Sequence, residues 1–266
     1  MLVVAGTAAG GASGRKAPPV ETTIDEIAPD VFRLSTAVPD VAPGGFTFNQ
    51  FLVRDAEPFL FHTGMRGLHP LVSDAVSRIV PLDDLRWISF AHMEADECGA
   101  MNLFLAGSPR AEVVHGELAC MLSITDMADR PPRAVADGEV LDLGTHRLRF
   151  VPTPHVPHNW ESGLWFDETT ATLFAGDLFT HTGEGPALTE SGLVEPALAA
   201  EELFHGTSLV PHLPATLHRL ADLDPATLAT MHGASFRGDG AIELRTLAAA
   251  YGAMTADQPR HAVSAT

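Results

Sequence analysis

A short acidic and histidine-containing run that follows an apolar strand most constrains this chain. The segment Trp87–Ala91 is typical of a buried strand, and the run His92–Glu97 comes directly after it. If this run is extended, the alternate side chains of His92, Glu94 and Asp96 point to one side. Ionisable groups that converge at a strand end repel one another or lose hydration unless a cation lies among them. The run therefore indicates a metal site, with a solvated acidic loop as the simpler alternative.

Length and charge bound the class of protein. The chain has 266 residues, of which 45% are hydrophobic, enough for one large domain with an ample core. It carries 34 acidic against 16 basic residues and a formal charge of −18, so its surface repels phosphate backbones and nucleic acid is not an expected partner. With only two cysteines, Cys98 and Cys120, we expect a reducing, cytoplasmic location. No apolar stretch reaches transmembrane length, and the order of charged and apolar residues at the start is wrong for a secretory signal.

Strand-like and helix-like segments alternate from about Ile24 to Tyr251, which predicts a layered α/β sandwich. Residues 23–254 are expected to form a single domain between flexible tails at 1–22 and 255–266, and the acidic stretch Glu21–Asp30 is expected to be solvated. Strands are expected at 31–34, 46–53, 58–61, 86–91, 111–115, 140–143, 146–151, 163–167, 171–175 and 228–231. Helices are expected at 69–80, 99–106, 117–126, 240–251 and, interrupted near two prolines, 195–223.

Histidine and aspartate recur at three further strand ends. His158 lies in the loop after one predicted strand, Asp177 ends another, and His232 follows a third. A ligand in a loop that closes a strand is held by a rigid scaffold while its donor atoms stay accessible. Each of these residues alone is a weak signal, since a strand-end histidine is more often a hydrogen-bonded surface residue. Together with the first run they supply enough donors for two metals that share one carboxylate.

These motifs resemble the metallo-β-lactamase superfamily, whose first motif is His-x-His-x-Asp-His and whose later ligands are His, Asp and His. The form His-x-Glu-x-Asp at residues 92–96 is similar to the diiron branch, which contains the flavodiiron proteins and the related oxygen-binding diiron proteins. Residues 45–53, 158–162 and 232–237 also resemble segments of that branch. The resemblance spans about Ile24 to Tyr251, and it implies a metallo-β-lactamase-type four-layer αβ/βα sandwich.

Six residues take the positions of the family's metal ligands: His92, Glu94 and His158 for a first iron, Asp96 and His232 for a second, and Asp177 as the bridge. Glu94 replaces the usual second histidine and makes the donor set richer in hard oxygen, which suits iron or manganese better than zinc. The expected cofactor is therefore a pair of iron ions, with zinc or manganese as the alternative.

Several further residues depart from the family pattern or compete with it. Glu97 stands where many relatives have a histidine ligand, and it could coordinate the second iron, take a proton near bound oxygen, or point away with water in its place. We favour a role behind the ligands or as an optional ligand. His62 occupies a position where relatives commonly carry aspartate, and we expect a structural hydrogen bond from it. His155 competes with His158, which the spacing to the next aspartate favours. His181 either donates a hydrogen bond near the site or is a plain loop histidine, and with Glu97 it is our candidate for a catalytic role.

The resemblance implies a non-haem diiron protein that binds O2, with reduction of O2 or NO as a further expectation, so an oxidoreductase is favoured over a hydrolase. Flavodiiron proteins continue into a flavodoxin domain, whereas this sequence ends soon after Tyr251, so we expect no FMN domain in it and an external flavin reductase or flavodoxin as partner. Two other classes stay open. One is a dinuclear zinc-type hydrolase of esters, lactones or thioesters, which the presence of Glu94 disfavours. The other is a metal-dependent O2 sensor or signalling module. The protein could also form a homodimer, and we do not expect it to bind a membrane.

Overall fold

Two seven-stranded sheets form the centre of the structure, a computed structural model that describes residues 20–257. The first sheet contains, in spatial order, β1 (Thr22–Ala28), β2 (Val31–Val38), β3 (Phe46–Val53), β4 (Phe59–Phe61), β5 (Trp87–Ser89), β6 (Glu112–Gly116) and β7 (Arg133–Val135). The second sheet contains β8 (Val140–Asp142), β9 (Arg147–Pro152), β10 (Gly163–Asp167), β11 (Thr172–Gly176), β12 (Leu188–Thr189), β13 (Thr227–Thr230) and β14 (Ser235–Arg237), in the spatial order β12-β14-β13-β11-β10-β9-β8.

Both sheets combine antiparallel and parallel pairs. In the first sheet, β1 to β4 pair antiparallel and β4 to β7 pair parallel. In the second sheet, β8 to β11 pair antiparallel, and β11 then pairs parallel with β13. Parallel neighbours direct their carboxyl ends to the same edge, so loops that follow β5, β11 and β13 can gather functional side chains there.

Helices cover the outer faces of the two sheets. They are α1 (His69–Ser77), α2 (Ala95–Cys98), α3 (Met101–Gly107), α4 (Glu117–Ala119), α5 (Thr125–Met127), α6 (Val194–Phe204), α7 (Leu213–Ala221) and α8 (Gly240–Asp257), and a π-helical turn at Cys120–Ile124 joins α4 to α5. In the described part of the chain, no helix combines the length and apolar character that crossing a bilayer requires.

Successive side chains of a strand point to opposite faces of its sheet, and they therefore pack in two different hydrophobic clusters. In β3, Phe51 faces the second sheet, whereas its neighbour Leu52 packs in the cluster that contains α1 and α3. Between the sheets, the ring of Phe59 contacts Trp165 edge-on at a centroid distance of 5.6 Å. Leu217 of α7 joins the cluster of the second sheet. The order helix, sheet, sheet, helix confirms the predicted four-layer α/β sandwich.

Some predicted element bounds differ from the structure. The stretch expected to be solvated forms β1 at the edge of the first sheet, and β7, β12 and β14 were not predicted. The predicted helix 195–223 is two helices, because α6 ends at His205, whose left-handed φ of 50° turns the chain away. The predicted tails at 1–22 and 255–266 lie mostly outside the described residues, while strand and helix reach slightly past the predicted bounds of 23 and 254.

Candidate metal centre

The carboxyl ends of strands from both sheets meet at one edge of the sandwich, where the predicted ligands lie. β5 leads into His92, β11 ends directly before Asp177, and β13 leads into His232. The parallel pairing of β11 with β13 sets Gly176 opposite Thr230, so Asp177 and His232 leave the second sheet at the same end. The strand topology thus brings together residues that are far apart in the sequence.

A first set of donor atoms converges from four residues, His92, Glu94, His158 and Asp177, whose ligand atoms all lie within 4.8 Å of one another. The Nε2 atom of His92 lies 2.9 Å from Glu94 Oε2 and 2.7 Å from His158 Nε2. The Oδ2 atom of Asp177 lies 3.7 Å from His92 Nε2 and 3.6 Å from His158 Nε2. Two imidazole nitrogens approach this closely only around a shared proton or metal ion. Because such nitrogens bind a metal at about 2.1 Å, two of them on one ion lie about 3 Å apart, so this set fits a metal ion.

A second set of donor atoms lies on the other side of Asp177. Its Oδ1 atom lies 3.4 Å from His232 Nε2, which in turn lies 3.3 Å from Asp96 Oδ2. Within the described residues, this buried Oδ1 atom has no hydrogen-bond partner. Each carboxylate oxygen of Asp177 therefore faces a different donor set, which is the arrangement of a carboxylate that can bridge two metal ions.

Backbone contacts orient His232 for ligation. Its Nδ1–H donates to the carbonyl oxygen of Thr47 at 2.8 Å, which leaves the lone pair of Nε2 directed at Asp96 and Asp177. The ring stacks on Phe46 at a centroid distance of 4.3 Å. The first sheet therefore fixes the orientation of a donor that the second sheet supplies.

The pKa values in the cluster reflect the competition between burial and the opposite charges. Burial alone would lower the pKa of His92, but the neighbouring carboxylates, Glu97 first, outweigh it and raise this pKa to about 10. Burial also opposes the charging of His232, and the two flanking aspartates raise its pKa to about 10. Hydrogen bonds from two histidines, His158 first, lower the pKa of Glu94 to about 2. The cluster without metal thus holds protons, and metal binding releases them.

Glu97 lies behind His92 and not on its open side. Its Oε2 atom accepts the backbone N–H groups of Ala91 at 2.8 Å and His92 at 2.7 Å. Its Oε1 atom lies 3.3 Å from Nδ1 of His92 and 3.4 Å from Nε2 of His62. His62, fully buried, also places Nδ1 3.3 Å from the carbonyl oxygen of Asn49. In this position the Glu97 carboxylate faces the backbone and the rear of His92, away from the donor atoms of Asp96 and His232.

His155 and His181 lie outside the cluster of four. His158, and not His155, belongs to the cluster of four. The Nδ1–H of His181 donates to the carbonyl oxygen of Phe179 at 2.9 Å, and its Nε2 accepts the N–H of Ala234 at 2.9 Å. Burial lowers the pKa of His181 and keeps it neutral. Since both ring nitrogens are bonded to backbone, His181 joins two loops and has no nitrogen left for proton transfer.

A cleft of about 240 Å³ opens over the two donor sets. Its walls include residues that the sequence analysis did not single out, which come from β3, α6, α8 and the loop after α6: Phe46, Glu201, Phe204, Thr207 and Tyr251. The Glu201 carboxylate accepts the N–H of Thr207 at 3.1 Å and its O–H at 2.7 Å, and the Tyr251 hydroxyl lies 3.2 Å from Thr207 Oγ1. No motif marks these residues, because only the packing of the helices brings them over the ligands.

Fold and donor cluster together define a metallo-β-lactamase-like sandwich with a cluster of potential metal ligands at one edge. Residues 46–233 match the family described as ODP family beta lactamase, and the chain belongs to this family. A protein of Thermosynechococcus vestitus provisionally named diflavin flavoprotein A 1 is 29% identical over 202 residues, which cover 73% of this chain and 34% of that protein. Rubredoxin-oxygen oxidoreductase of Megalodesulfovibrio gigas is 24% identical over 208 residues, which cover 74% of this chain and 51% of that protein. The chain therefore matches about a third to a half of the length of these relatives.

Solved structures share the fold. The 1–254 fragment of a protein from Nostoc sp. PCC 7120, provisionally named diflavin flavoprotein A 5, superposes with a TM-score of 0.78 at 18% identity, covering 90% of this chain and 98% of the fragment. Rubredoxin oxygen:oxidoreductase from Desulfovibrio gigas superposes with a TM-score of 0.74 at 17% identity, covering 89% of this chain and 62% of that chain. These comparisons confirm the predicted fold class and the resemblance to the flavodiiron core.

Proposed function

We propose that this protein holds two iron ions in the cluster, binds O2 there, and reduces O2 or NO with electrons from an external donor. The observation that carries the proposal is the position of Asp177 between two donor sets. Its Oδ2 atom faces the first pair of histidines at 3.6 and 3.7 Å, and its Oδ1 atom faces His232 at 3.4 Å. A single carboxylate in this position could hold two cations at once.

The chemistry of the donors supports iron. Three carboxylates and three imidazoles form a mixed oxygen and nitrogen set without thiolate, which suits iron or manganese better than zinc. Three carboxylate charges balance most of the charge of two divalent ions and so weaken the Lewis acidity that a hydrolase needs. Bound iron would supply the redox chemistry, and the protein supplies orientation.

Residues around the cleft would orient a small substrate over the donor sets. Burial raises the pKa of Tyr251, so this hydroxyl keeps its proton and can donate a hydrogen bond within the cleft. Behind it, the hydroxyl of Thr207 connects Tyr251 to the carboxylate of Glu201. Phe46 and Phe204 line the same cleft and reduce its contact with water. We assign Tyr251 as a hydrogen-bond donor that lines the substrate space.

The relatives suggest the kind of electron donor. Their names refer to flavin and to rubredoxin, and we propose an external flavin reductase, flavodoxin or similar carrier for this chain. Both cysteines are buried and free, which supports the reducing, cytoplasmic location that is part of the proposal.

Metal analysis and oxygen spectroscopy test this function. Protein produced with iron and without added zinc is expected to contain two irons per chain, and the reduced protein is expected to gain an absorption band on exposure to O2. His232→Ala should lose the band, whereas His218→Ala, which removes an exposed histidine of α7, should keep it. NADH-driven O2 consumption with a generic flavin reductase then separates a reductase from a protein that only binds O2. Two zincs and no oxygen-dependent spectrum would refute the proposal.

The size of the cleft favours a second candidate function. A volume of about 240 Å³ exceeds what O2 occupies and would admit a small ester, lactone or thioester. A zinc-type hydrolase would then use the same ligands to activate water. Turnover of such a substrate by protein that contains zinc as its sole metal, abolished in His92→Ala, would establish this alternative over the first.

A further inference from the structure

The two metal positions have unequal numbers of protein donors. Among the described residues, the first position has four donors: His92, Glu94, His158 and Asp177. The second position has three in the same part of the chain: Asp96, His232 and the other oxygen of Asp177. Glu97, adjacent to Asp96 in the sequence, would be the nearest source of a fourth donor, but its carboxylate points away.

Glu97 is held in this inward position by contacts on all sides. Its side chain is only 1% exposed, and Oε2 accepts two backbone N–H groups, those of Ala91 and His92. Its own carbonyl oxygen accepts the N–H of Thr63 at 2.6 Å. If the carboxylate turned toward the second position, two buried N–H groups would lose their acceptor, which proteins avoid. These contacts therefore keep the Glu97 carboxylate behind His92.

From this side, Glu97 determines which ring nitrogen of His92 faces the donor cluster. The Oε1 atom lies 3.3 Å from Nδ1 of His92, and within the described residues neither buried atom has a hydrogen-bond partner. A proton on Nδ1 therefore faces a carboxylate, and the lone pair of Nε2 faces Glu94, His158 and Asp177. A carboxylate behind a metal-binding histidine fixes the tautomer and the ring orientation and strengthens the ligand.

We propose that Glu97 is a positioning residue that strengthens the first metal position while leaving the second with one donor fewer, so that the two ions are held unequally. The first ion would stay bound, and the second, with fewer protein donors, would exchange readily. This inference rests on the two-metal function proposed above.

Titration of the metal-free protein with Co2+ tests whether the two positions bind metal with unequal affinity. The visible absorption of Co2+ reports the number of its ligands. We expect two binding steps, and the dissociation constant of the second ion should be at least about tenfold higher than that of the first. Loss of one group that supports a metal ligand typically alters metal affinity by about 10- to 100-fold. Dialysis against buffer should leave about one ion per chain. Asp96→Asn should abolish the second step and leave the first step in place.

Glu97→Gln tests the positioning role with a side chain of the same shape. The amide oxygen can still accept the two N–H groups, but the amide NH2 then faces Nδ1 of His92 and forces the ring proton onto Nε2, where the metal needs a lone pair. The affinity for the first ion should fall by about 10- to 100-fold. Glu161→Gln is the matched control, because Glu161 accepts the N–H of Met93 at 3.1 Å and lies behind no ligand imidazole. Circular dichroism and thermal melting of both metal-free variants establish that they fold.

The outcomes separate this inference from the proposed function. Two ions bound with equal affinity in the wild type would overturn the inequality and leave the two-metal function intact. An unchanged affinity for the first ion in folded Glu97→Gln would overturn the positioning role. If Glu97→Gln does not fold, the two-step titration of the wild type and of Asp96→Asn decides the inequality. Failure of the wild type to bind a second ion at any concentration would refute the two-metal function itself.

Discussion

Gly233, directly after the proposed ligand His232, is a position where one methyl group should disturb the site. Its φ is +89°, a left-handed conformation that side chains rarely adopt. A Cβ atom added there would lie 2.2 Å from Nε2 of His181 and 2.3 Å from its Cε1. Gly233→Ala therefore forces the His181 ring out of its place.

The expected loss of stability follows from the contacts that His181 makes. The left-handed conformation costs an alanine about 1–2 kcal/mol. Displacement of the ring also breaks two hydrogen bonds, one to Phe179 and one from the N–H of Ala234. Ala234 is buried, so its N–H is left without an acceptor at about 1–3 kcal/mol, and the other bond contributes about 1 kcal/mol. Beyond the conformational term, Gly233→Ala should thus lose about 3 kcal/mol.

Gly183 provides a matched control in the same region. Its φ is +92°, and an added Cβ atom would only make ordinary contact with the carbonyl oxygen of Gly44 at 3.9 Å. Gly183→Ala therefore carries the same conformational penalty without the clash. Thermal melting of the metal-free proteins should place Gly233→Ala about 6–12 °C below Gly183→Ala, at about 2–4 °C per kcal/mol. Metal analysis should show loss of the ion at His232 in Gly233→Ala alone. Equal melting temperatures with full metal content would refute this account of the loop.

Three further predictions follow from single contacts. Asp177→Asn should lose both ions, because one carboxylate faces both donor sets, and elemental analysis of the iron-reconstituted variant measures this. His158→Ala should lose the first ion and His155→Ala should keep it, and the opposite result would exchange their assignments. The hydrogen bond to Asp167 raises the pKa of buried His146, so this stabilisation is complete below the unfolded pKa of about 6.5 and is lost as the pH rises through the folded pKa. His146→Gln should therefore lower the unfolding free energy in urea by about 1.5–3 kcal/mol below pH 6.5, and by less in alkaline buffer, and a pH-independent loss would contradict the assignment.

The parts of the fold that could be predicted are those whose burial leaves a local pattern. β3 is buried along its whole length between two layers, and its continuous apolar run was enough to find it. β1 lies at the edge of its sheet, and its apolar and polar residues alternate less clearly, with exposed Glu26 beside half-buried Asp25. Its sequence is therefore typical of a solvated stretch. β12 has two residues and pairs with the distant β14, and local sequence carries no information on such pairing. β14 has three residues, too few for a strand pattern to be recognised.

The convergence of the candidate ligands could be predicted for a related reason. Asp177 follows its strand directly, and His92 and His232 follow theirs within a few residues, so local sequence places each of them at a strand end. Their meeting at one edge then requires only the parallel pairing of β11 with β13 and the stacking of two sheets. Tyr251 and Glu201 lie within α8 and α6, and their approach to the cleft depends on how these helices pack, which the spacing of residues does not encode.

Glu97 shows why a ligand motif does not by itself specify which of its members bind metal. The run His92–Glu97 supplies ligands, but it also leaves the strand and begins α2, so the backbone N–H groups of Ala91 and His92 need acceptors. An inward carboxylate satisfies both groups and faces the ring nitrogen that the metal does not use. Because buried N–H groups are almost always paired, one ionisable residue of the run is expected to serve the fold while its neighbours face outward. The number of donors at each metal position is therefore set by this local hydrogen-bonding requirement as well as by the chemistry of the ions.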